Sequence, residues 1–190
     1  MATNINADGS LPVDVVIMAA GKGTRMKSRM PKVLHLLAGR ALLQHVVDTA
    51  ASLQARRVVV ITGHGAMEVE AALAISTRAS SPNGSEKSPQ FELKFVRQEP
   101  QLGTGHAVQQ AVPALPDDGM VVVLSGDVPL TQPDTLRRLI AASGGNKLAL
   151  LTLELANPTG YGRIVRSGES VVAIVEQKDA SDAQRQIREI

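Results

Sequence analysis

A glycine-rich loop that is crowded with positive charge places the strongest constraint on this chain. Residues 13–18 (VDVVIM) have the length and β-branched content of a strand buried on both faces. Gly21 and Gly23 follow, and glycine lets backbone N–H groups approach phosphate oxygens closely. The next stretch carries only positive charge, on Lys22, Arg25, Lys27, Arg29 and Lys32. This combination predicts an anionic ligand.

Two common phosphate-binding motifs do not fit the loop. The dinucleotide fingerprint G-x-G-x-x-G needs a third glycine where the chain has Met26, and it needs a helix to open at once. Pro31 and the spaced cations predict an extended flap instead. The Walker motif needs Gly-Lys-Ser or Gly-Lys-Thr, and the sequence contains neither. What remains is the long pattern A-A-G-x-G-T-R-M-x-S-x-x-P-K over residues 19–32.

Composition narrows the class of protein. A chain of 190 residues with 44% hydrophobic residues is in the range of one globular domain. It has no Trp, one Tyr and two Phe, so the core must be aliphatic and aromatic platforms for nucleic-acid bases are scarce. Without cysteine it has no disulfide scaffold, thiolate nucleophile or zinc ribbon. We expect no nucleic-acid partner, no membrane partner and a cytoplasmic location.

Hydrophobic periodicity predicts alternating strands and helices. Helices are expected at 41–53, 68–75, 103–112 and 133–142, and strands at 57–63, 91–98, 120–127 and 148–155. A β-hairpin is expected at residues 163–176, and a surface loop is expected over the polar segment 76–90. Residues 1–12 are expected to form a disordered arm. The alternation predicts an α/β fold with a doubly wound, Rossmann-like, mostly parallel sheet over residues 13–190. Its ligand should lie at the carboxyl ends of the strands.

Two further groups of polar residues are candidates for ligand contacts. Asp127 ends the most apolar strand, in Ser125-Gly126-Asp127, where a carboxylate can cap a helix, belong to a turn or bind Mg²⁺ beside a phosphate loop. Gln98 and Gln101 precede Gly103-Thr104. A glutamine amide matches the imide edge of uracil, although glutamines at a helix start are often only surface residues.

With Val33-Leu34-His35 added, the loop resembles the signature of sugar-1-phosphate nucleotidyltransferases. Together the motifs resemble the uridylyltransferase domain of the bifunctional bacterial enzymes that make UDP-N-acetylglucosamine. The resemblance implies the nucleotide-diphospho-sugar transferase fold and Mg²⁺-dependent reaction of UTP with N-acetylglucosamine 1-phosphate, for peptidoglycan and lipopolysaccharide precursors. It implies that Arg25 and Lys32 neutralise phosphate charge and that Asp127 binds the metal. The implied substrate contacts are Met18, Ala19, Ala20, Gly21, Gly23, Lys32, Gln98, Gly103, Thr104, Ser125, Gly126, Asp127, Gly162 and Glu176.

The resemblance also implies parts that lie past Ile190. Members of this family continue with an asparagine that contacts the sugar, a second asparagine at the metal, and an acetyltransferase domain that forms trimers. The chain is therefore expected to be a fragment that binds UTP weakly and turns over slowly. Two alternatives stay open, namely another nucleotide and sugar phosphate, or a nucleotide-binding module without catalysis. His106 is expected to be structural rather than catalytic.

Overall fold

The computed structural model describes residues 11–21, 23, 26–79 and 91–190. The chain divides into two compact units, with the boundary between Lys147 and Leu148. Residues 1–10 of the expected arm and residues 80–90 of the expected loop lie outside the described residues.

The first unit alternates strands and helices around one parallel sheet. Its elements are β1 (Val13–Met18), the short antiparallel pair β2 (Leu36–Leu37) and β3 (Arg40–Ala41), α1 (Leu42–Ser52), β4 (Arg57–Thr62), α2 (Ala66–Ala79), β5 (Glu92–Arg97), α3 (Thr104–Ala111), β6 (Met120–Ser125) and α4 (Pro133–Ser143). The sheet has the order β5-β4-β1-β6, and each neighbouring pair is parallel. The predicted α/β class is confirmed.

Apolar side chains project from both faces of β1, and helices cover the sheet on both sides. Val15 and Ile17 pack with α1 residues such as Leu43 in one cluster. Val16 lies on the opposite face with Ala107 and Ala111 of α3. This arrangement is the doubly wound sheet that the sequence predicted.

The order of the strands reverses beside β1. From β1 the chain goes to β4 and β5 on one side, and β6 pairs with the other side of β1. Open α/β sheets bind ligands at the carboxyl ends of the strands at such a switch point. The glycine-rich loop leaves β1 there, and Asp127 follows β6 there.

One helix is longer than the periodicity predicted. The second helix was expected to end at residue 75, whereas α2 continues to Ala79. It therefore includes the first residues of the segment predicted as a surface loop. The Ser, Thr and Arg at 76–78 do not stop a helix once its preceding turns are formed, because helix propagation is easier than nucleation.

The second unit contains the predicted hairpin. Strands β7 (Arg163–Ser167) and β8 (Ser170–Val175) pair antiparallel, and Gly168 in the turn between them has a φ of +60°. A four-residue helix, α5 (Asp182–Arg185), opens with a capping box formed by Ser181 and Gln184.

The prediction of a strand at residues 148–155 is wrong. The segment forms only an isolated antiparallel bridge, between Glu154 and Glu189. Leu153 and Ile190 exchange backbone hydrogen bonds of 3.0 and 2.9 Å, and Leu155 donates to Arg188. The segment is thus extended at residues 153–155, where its backbone pairs with residues 188–190.

Candidate active site

A cavity of about 500 Å³ opens at the carboxyl ends of β1 and β6. This volume is in the range of pockets that hold small molecules. The structure brings to its wall the predicted residues Met18, Ala19, Ala20, Gly21, Gly23, Lys32, Gln98, Gly103, Thr104, Ser125 and Asp127. Residues far apart in the sequence therefore meet at the switch point of the sheet.

Glycine is required at one position of the loop for a visible reason. Gly23 has a φ of +58°, a conformation that L side chains rarely adopt. A Cβ on Gly23 would also lie 2.9 Å from the Cβ of Lys32. The missing side chain thus lets the loop pass directly against Lys32, which lines the cavity.

Arg25, the other cation that was assigned to phosphate, lies outside the described residues, as does Lys22. The role of Arg25 stays a prediction. Lys27 and Arg29, from the same cationic stretch, are exposed.

Lys32 and Asp127 form an ion pair across the cavity wall, from Nζ to Oδ2. Both side chains are partly exposed, so the pair is open to solvent and to ligands. Asp127 lies in a turn closed by a 3.2 Å hydrogen bond from the Val128 N–H to the Ser125 carbonyl. Its carboxylate is therefore held at the cavity by Lys32 rather than used as a helix cap.

The carboxylate of Asp127 fits a magnesium ion that is shared with a substrate. Among the described residues, no group of three or more His, Cys, Asp or Glu could form a metal cage. Mg²⁺ does not need such a cage, because it keeps several waters and is usually bound by one or two carboxylates plus substrate phosphates. One cavity-facing carboxylate beside the glycine-rich loop meets that requirement.

The other side of the cavity is formed by the segment between β5 and α3. Gln98 is 4% exposed, and its Nε2 lies 2.9 Å from the Gly103 carbonyl oxygen and 3.2 Å from His106 Nδ1. The Nε2 of Gln101 donates to the Ala20 carbonyl at 2.9 Å. Gln101 therefore ties this segment to the glycine-rich loop.

Three predicted contacts lie elsewhere. Gly126 packs below the cavity wall, where its N–H donates to Met18 at 2.9 Å and an added Cβ would come within 3.2 Å of Leu43. Gly162 and Glu176 belong to the second unit, immediately before β7 and immediately after β8. Their roles toward a sugar stay predictions.

A buried arginine links the two predicted sugar contacts within the second unit. Arg163 is 1% exposed, and its Nη2 donates to Gln177 Oε1 at 2.7 Å. The same oxygen accepts from the Gly160 N–H at 3.3 Å. Gln177, which directly follows Glu176, is thereby bonded both to Arg163, which directly follows Gly162, and to the turn at Gly160.

Sequence reasoning missed the apolar part of the cavity wall. Met26, Val33 and Ala107 line it beside the polar residues. Ala107 stands three residues after Thr104 on α3, and residues at this spacing share a helix face. That spacing was the signal for Ala107, whereas Met26 and Val33 stand within the quoted motif but carry no polar group that would mark them as ligand contacts.

Comparison with known proteins places these features in a family. Residues 15–158 match the family model described as "MobA-like NTP transferase domain". A protein of Albidiferax ferrireducens named "Bifunctional protein GlmU" is 74% identical over 178 residues, covering 94% of this chain and 37% of that protein. A protein of the same name from an Azoarcus species is 53% identical, with 94% and 36% covered. The chain thus spans little more than a third of the length of these relatives.

Solved structures show the same fold. A UDP-glucose pyrophosphorylase in complex with UDP-glucose superimposes with a TM-score of 0.71 at 18% identity, covering 94% of this chain and 73% of that one. A nucleotidyl transferase from Methanothermobacter thermautotroptrophicus superimposes with a TM-score of 0.56 at 25% identity, covering 80% of this chain and 64% of that one. Within the described residues, the helices are too short or too polar to span a membrane.

Proposed function

This chain belongs to the family of MobA-like NTP transferase domains, and on that premise we propose that it transfers a uridylyl group from UTP to N-acetylglucosamine 1-phosphate. The products are UDP-N-acetylglucosamine and pyrophosphate. One observation carries the proposal: the glycine-rich loop, Lys32, Asp127 and the buried Gln98 line a single cavity at the switch point of the sheet. The 74% identity to a protein named "Bifunctional protein GlmU" supports it.

The reaction needs positioned charge rather than a nucleophilic side chain. A phosphate oxygen of the sugar phosphate forms a bond to the α-phosphorus of UTP. The bond from that phosphorus to the bridging oxygen breaks, and pyrophosphate leaves with the electron pair. The attacking phosphate is already ionised, so no general base is required. Catalysis in such transfers comes from alignment and electrostatic stabilisation.

The residues around the cavity divide this work. Gly21 and Gly23 present loop backbone to the phosphates, and Lys32, with Arg25, neutralises their charge. Asp127 would hold Mg²⁺, and the ion would neutralise charge on the phosphate oxygens. Lys32 and Asp127 form an ion pair, so a triphosphate that enters the cavity competes with the Asp127 carboxylate for the Lys32 ammonium group. Binding of the nucleotide therefore frees the carboxylate for the cation.

The base and the sugar are assigned to other residues. Gln98, Gly103 and Thr104 recognise uracil, in keeping with the position of all three in the cavity wall. Gly162 and Glu176 bind the N-acetylglucosamine ring, where a carboxylate accepts hydrogen bonds from sugar hydroxyls. A single functional domain over 13–190, a trimer in longer relatives and a cytoplasmic location stay predictions.

Pyrophosphate release tests the function. The chain is incubated with Mg²⁺, N-acetylglucosamine 1-phosphate and each of UTP, CTP, GTP and dTTP in turn, and the sugar nucleotide is identified by mass. We expect the fastest release with UTP and a product with the mass of UDP-N-acetylglucosamine. Faster release with another nucleotide, or with another hexose 1-phosphate in place of the acceptor, would contradict the assignment.

A further inference from the structure

We infer that His106 is a positioning residue that, together with the Gly103 carbonyl, holds the oxygen of the Gln98 carboxamide toward the cavity, and that it thereby strengthens the preference for uracil over cytosine. The inference rests on the proposed function, because it concerns how the same cavity reads the base. Three contacts carry it, from Gln98 to Gly103, from Gln98 to His106, and from His106 to Gln110.

The orientation of Gln98 follows from its closer contact. A carbonyl oxygen can only accept a hydrogen bond, so the group of Gln98 that lies 2.9 Å from the Gly103 oxygen must be the NH₂. The same nitrogen lies 3.2 Å from His106 Nδ1. If Nδ1 accepts, both hydrogens of the NH₂ group are used within the protein. The carboxamide oxygen is then the group of Gln98 left for a ligand.

The tautomer of His106 follows from the same contacts. A neutral imidazole that accepts at Nδ1 carries its proton on Nε2. Gln110 stands one helical turn further along α3, with its carboxamide 3.2 Å from His106 Nε2. A half-turn of that carboxamide gives up a 3.4 Å contact with the His106 carbonyl and presents an oxygen to the Nε2 proton. In the resulting chain of hydrogen bonds, Gln98 donates to His106 Nδ1 and His106 Nε2–H donates to the Gln110 oxygen.

This orientation discriminates between the two pyrimidines. Uracil carries an N–H at ring position 3, which can donate to the Gln98 oxygen. Cytosine has an unprotonated nitrogen there, and two acceptors that face each other repel. Without His106, one N–H of the buried Gln98 loses its partner, and such a group is costly to leave unpaired. One of the two contacts that hold the NH₂ group inward is then gone and only Gly103 remains, so the carboxamide oxygen is held less firmly toward the cavity and the preference for uracil falls.

Calorimetric titration of UTP and of CTP with Mg²⁺ into variants at this position tests the inference. His106→Leu keeps about the same volume and removes the acceptor, whereas His106→Asn keeps an acceptor near the place of Nδ1. We expect the preference for UTP over CTP to fall roughly fivefold to tenfold in His106→Leu, the effect of about one hydrogen bond. His106→Asn should keep most of the preference. Gln109→Leu, an exposed position on the same helix, should keep all of it.

A measurement on the unaltered protein does not depend on whether a variant folds. Long-range ¹H–¹⁵N correlation spectra of the histidine rings report which nitrogen carries the proton. We expect the Nε2–H tautomer for His106 in the free protein.

Three results would overturn the inference. They are the Nδ1–H tautomer, equal weakening of UTP and CTP in His106→Leu, and an unchanged preference in that variant. If the unaltered chain bound UTP with no preference over CTP, the proposed base recognition would itself fail. The tautomer and the variant series therefore separate failure of the inference from failure of the function.

Discussion

At the scale of single residues, the pairing of Lys32 with Asp127 is the feature with the clearest consequences. The two side chains come from loops that follow different strands, and 95 positions separate them in the sequence. Each holds the other at the cavity wall while no phosphate or cation competes. Their individual roles can be separated, because a neutral substitution of Lys32 removes a positive charge whereas a neutral substitution of Asp127 removes a negative one.

Lys32→Ala should reduce turnover with UTP on the order of 10²-fold, since it removes a donor that stabilises charge in the transition state. Lys27→Ala is the matched control, because Lys27 belongs to the same loop and is exposed. It should change turnover little. The measurement is the rate of pyrophosphate release at saturating and limiting UTP. Equal losses in the two variants would mean that the loop acts only as a diffuse basic patch.

Asp127→Asn should weaken the dependence of UTP binding on Mg²⁺ while leaving thermal stability unchanged. Asparagine keeps the shape of the side chain but loses the charge that attracts the cation. Titration of UTP with and without Mg²⁺, together with a thermal melt, checks both halves. A large fall in melting temperature with unaltered Mg²⁺ dependence would identify Asp127 as a structural residue instead.

At the scale of elements, the strands are joined, at the end of the sheet away from the cavity, by an ion cluster around the buried Asp14. Asp14 in β1 is 0% exposed and accepts from Arg56 through both carboxylate oxygens, at 3.1 and 2.6 Å. Arg56 directly precedes β4, and it also donates to Asp118, which precedes β6, at 2.9 Å. The two carboxylates raise the pKa of Arg56 above its ordinary value. One guanidinium thus fixes the starts of three neighbouring strands.

Asp14→Asn should lower the free energy of unfolding by about 2–3 kcal/mol, because it leaves Arg56 without its buried, two-oxygen partner. Asp134→Asn makes the same chemical change in an ion pair whose acid is 86% exposed, and it should cost no more than about 1 kcal/mol. Denaturant unfolding of both variants checks the difference. Equal effects would show that the cluster contributes no more than an exposed pair.

In the second unit, the pairing of Arg166 with Glu189 predicts a pH dependence. Hydrogen bonds from Arg166 and Thr152 lower the pKa of Glu189 from 4.5 to about 2. Because the pKa in the folded state is lowered, the carboxylate stabilises this unit above pH 4.5. That contribution is lost as the pH falls through about 2.

An NMR titration of the Glu189 carboxyl should therefore show a midpoint well below that of an exposed glutamate. In Arg166→Gln the midpoint should rise toward the ordinary value, since the main cause of the shift is removed. Arg185→Gln is the control, because Arg185 pairs with the exposed Asp182 instead. An unshifted midpoint in the unaltered protein would contradict the pairing in solution.

At the scale of the whole molecule, local signals were readable from the sequence and distant partners were not. The apolar runs of β1, β4 and β6 end at glycine or aspartate, and these boundaries were predicted to within a few residues. Asp14 gave no sign that its partner lies 42 positions away. Likewise, residues 148–155 have the composition of a strand, but the backbone of this segment pairs with residues 188–190, far along the chain.

The cavity was predictable to the extent that its residues sit in motifs at strand ends. Gly21, Lys32, Gln98 and Asp127 could be proposed because parallel strands bring their carboxyl ends to one edge. The orientation of Gln98 could not be proposed, since it depends on contacts with Gly103 and His106 that only the turn into α3 creates. The sequence thus predicts which groups meet, and the packing of side chains decides which atoms they present.

We propose that this cavity holds a uridine triphosphate, and equilibrium binding tests this without requiring turnover. The unaltered chain is titrated calorimetrically with UTP, CTP, GTP and ATP in the presence of Mg²⁺. We expect one binding site per chain, with UTP bound more tightly than the other three nucleotides and bound more weakly by Lys32→Ala than by the unaltered chain. Equal affinity for all four nucleotides, tighter binding of one of the others, or no binding at all would contradict it.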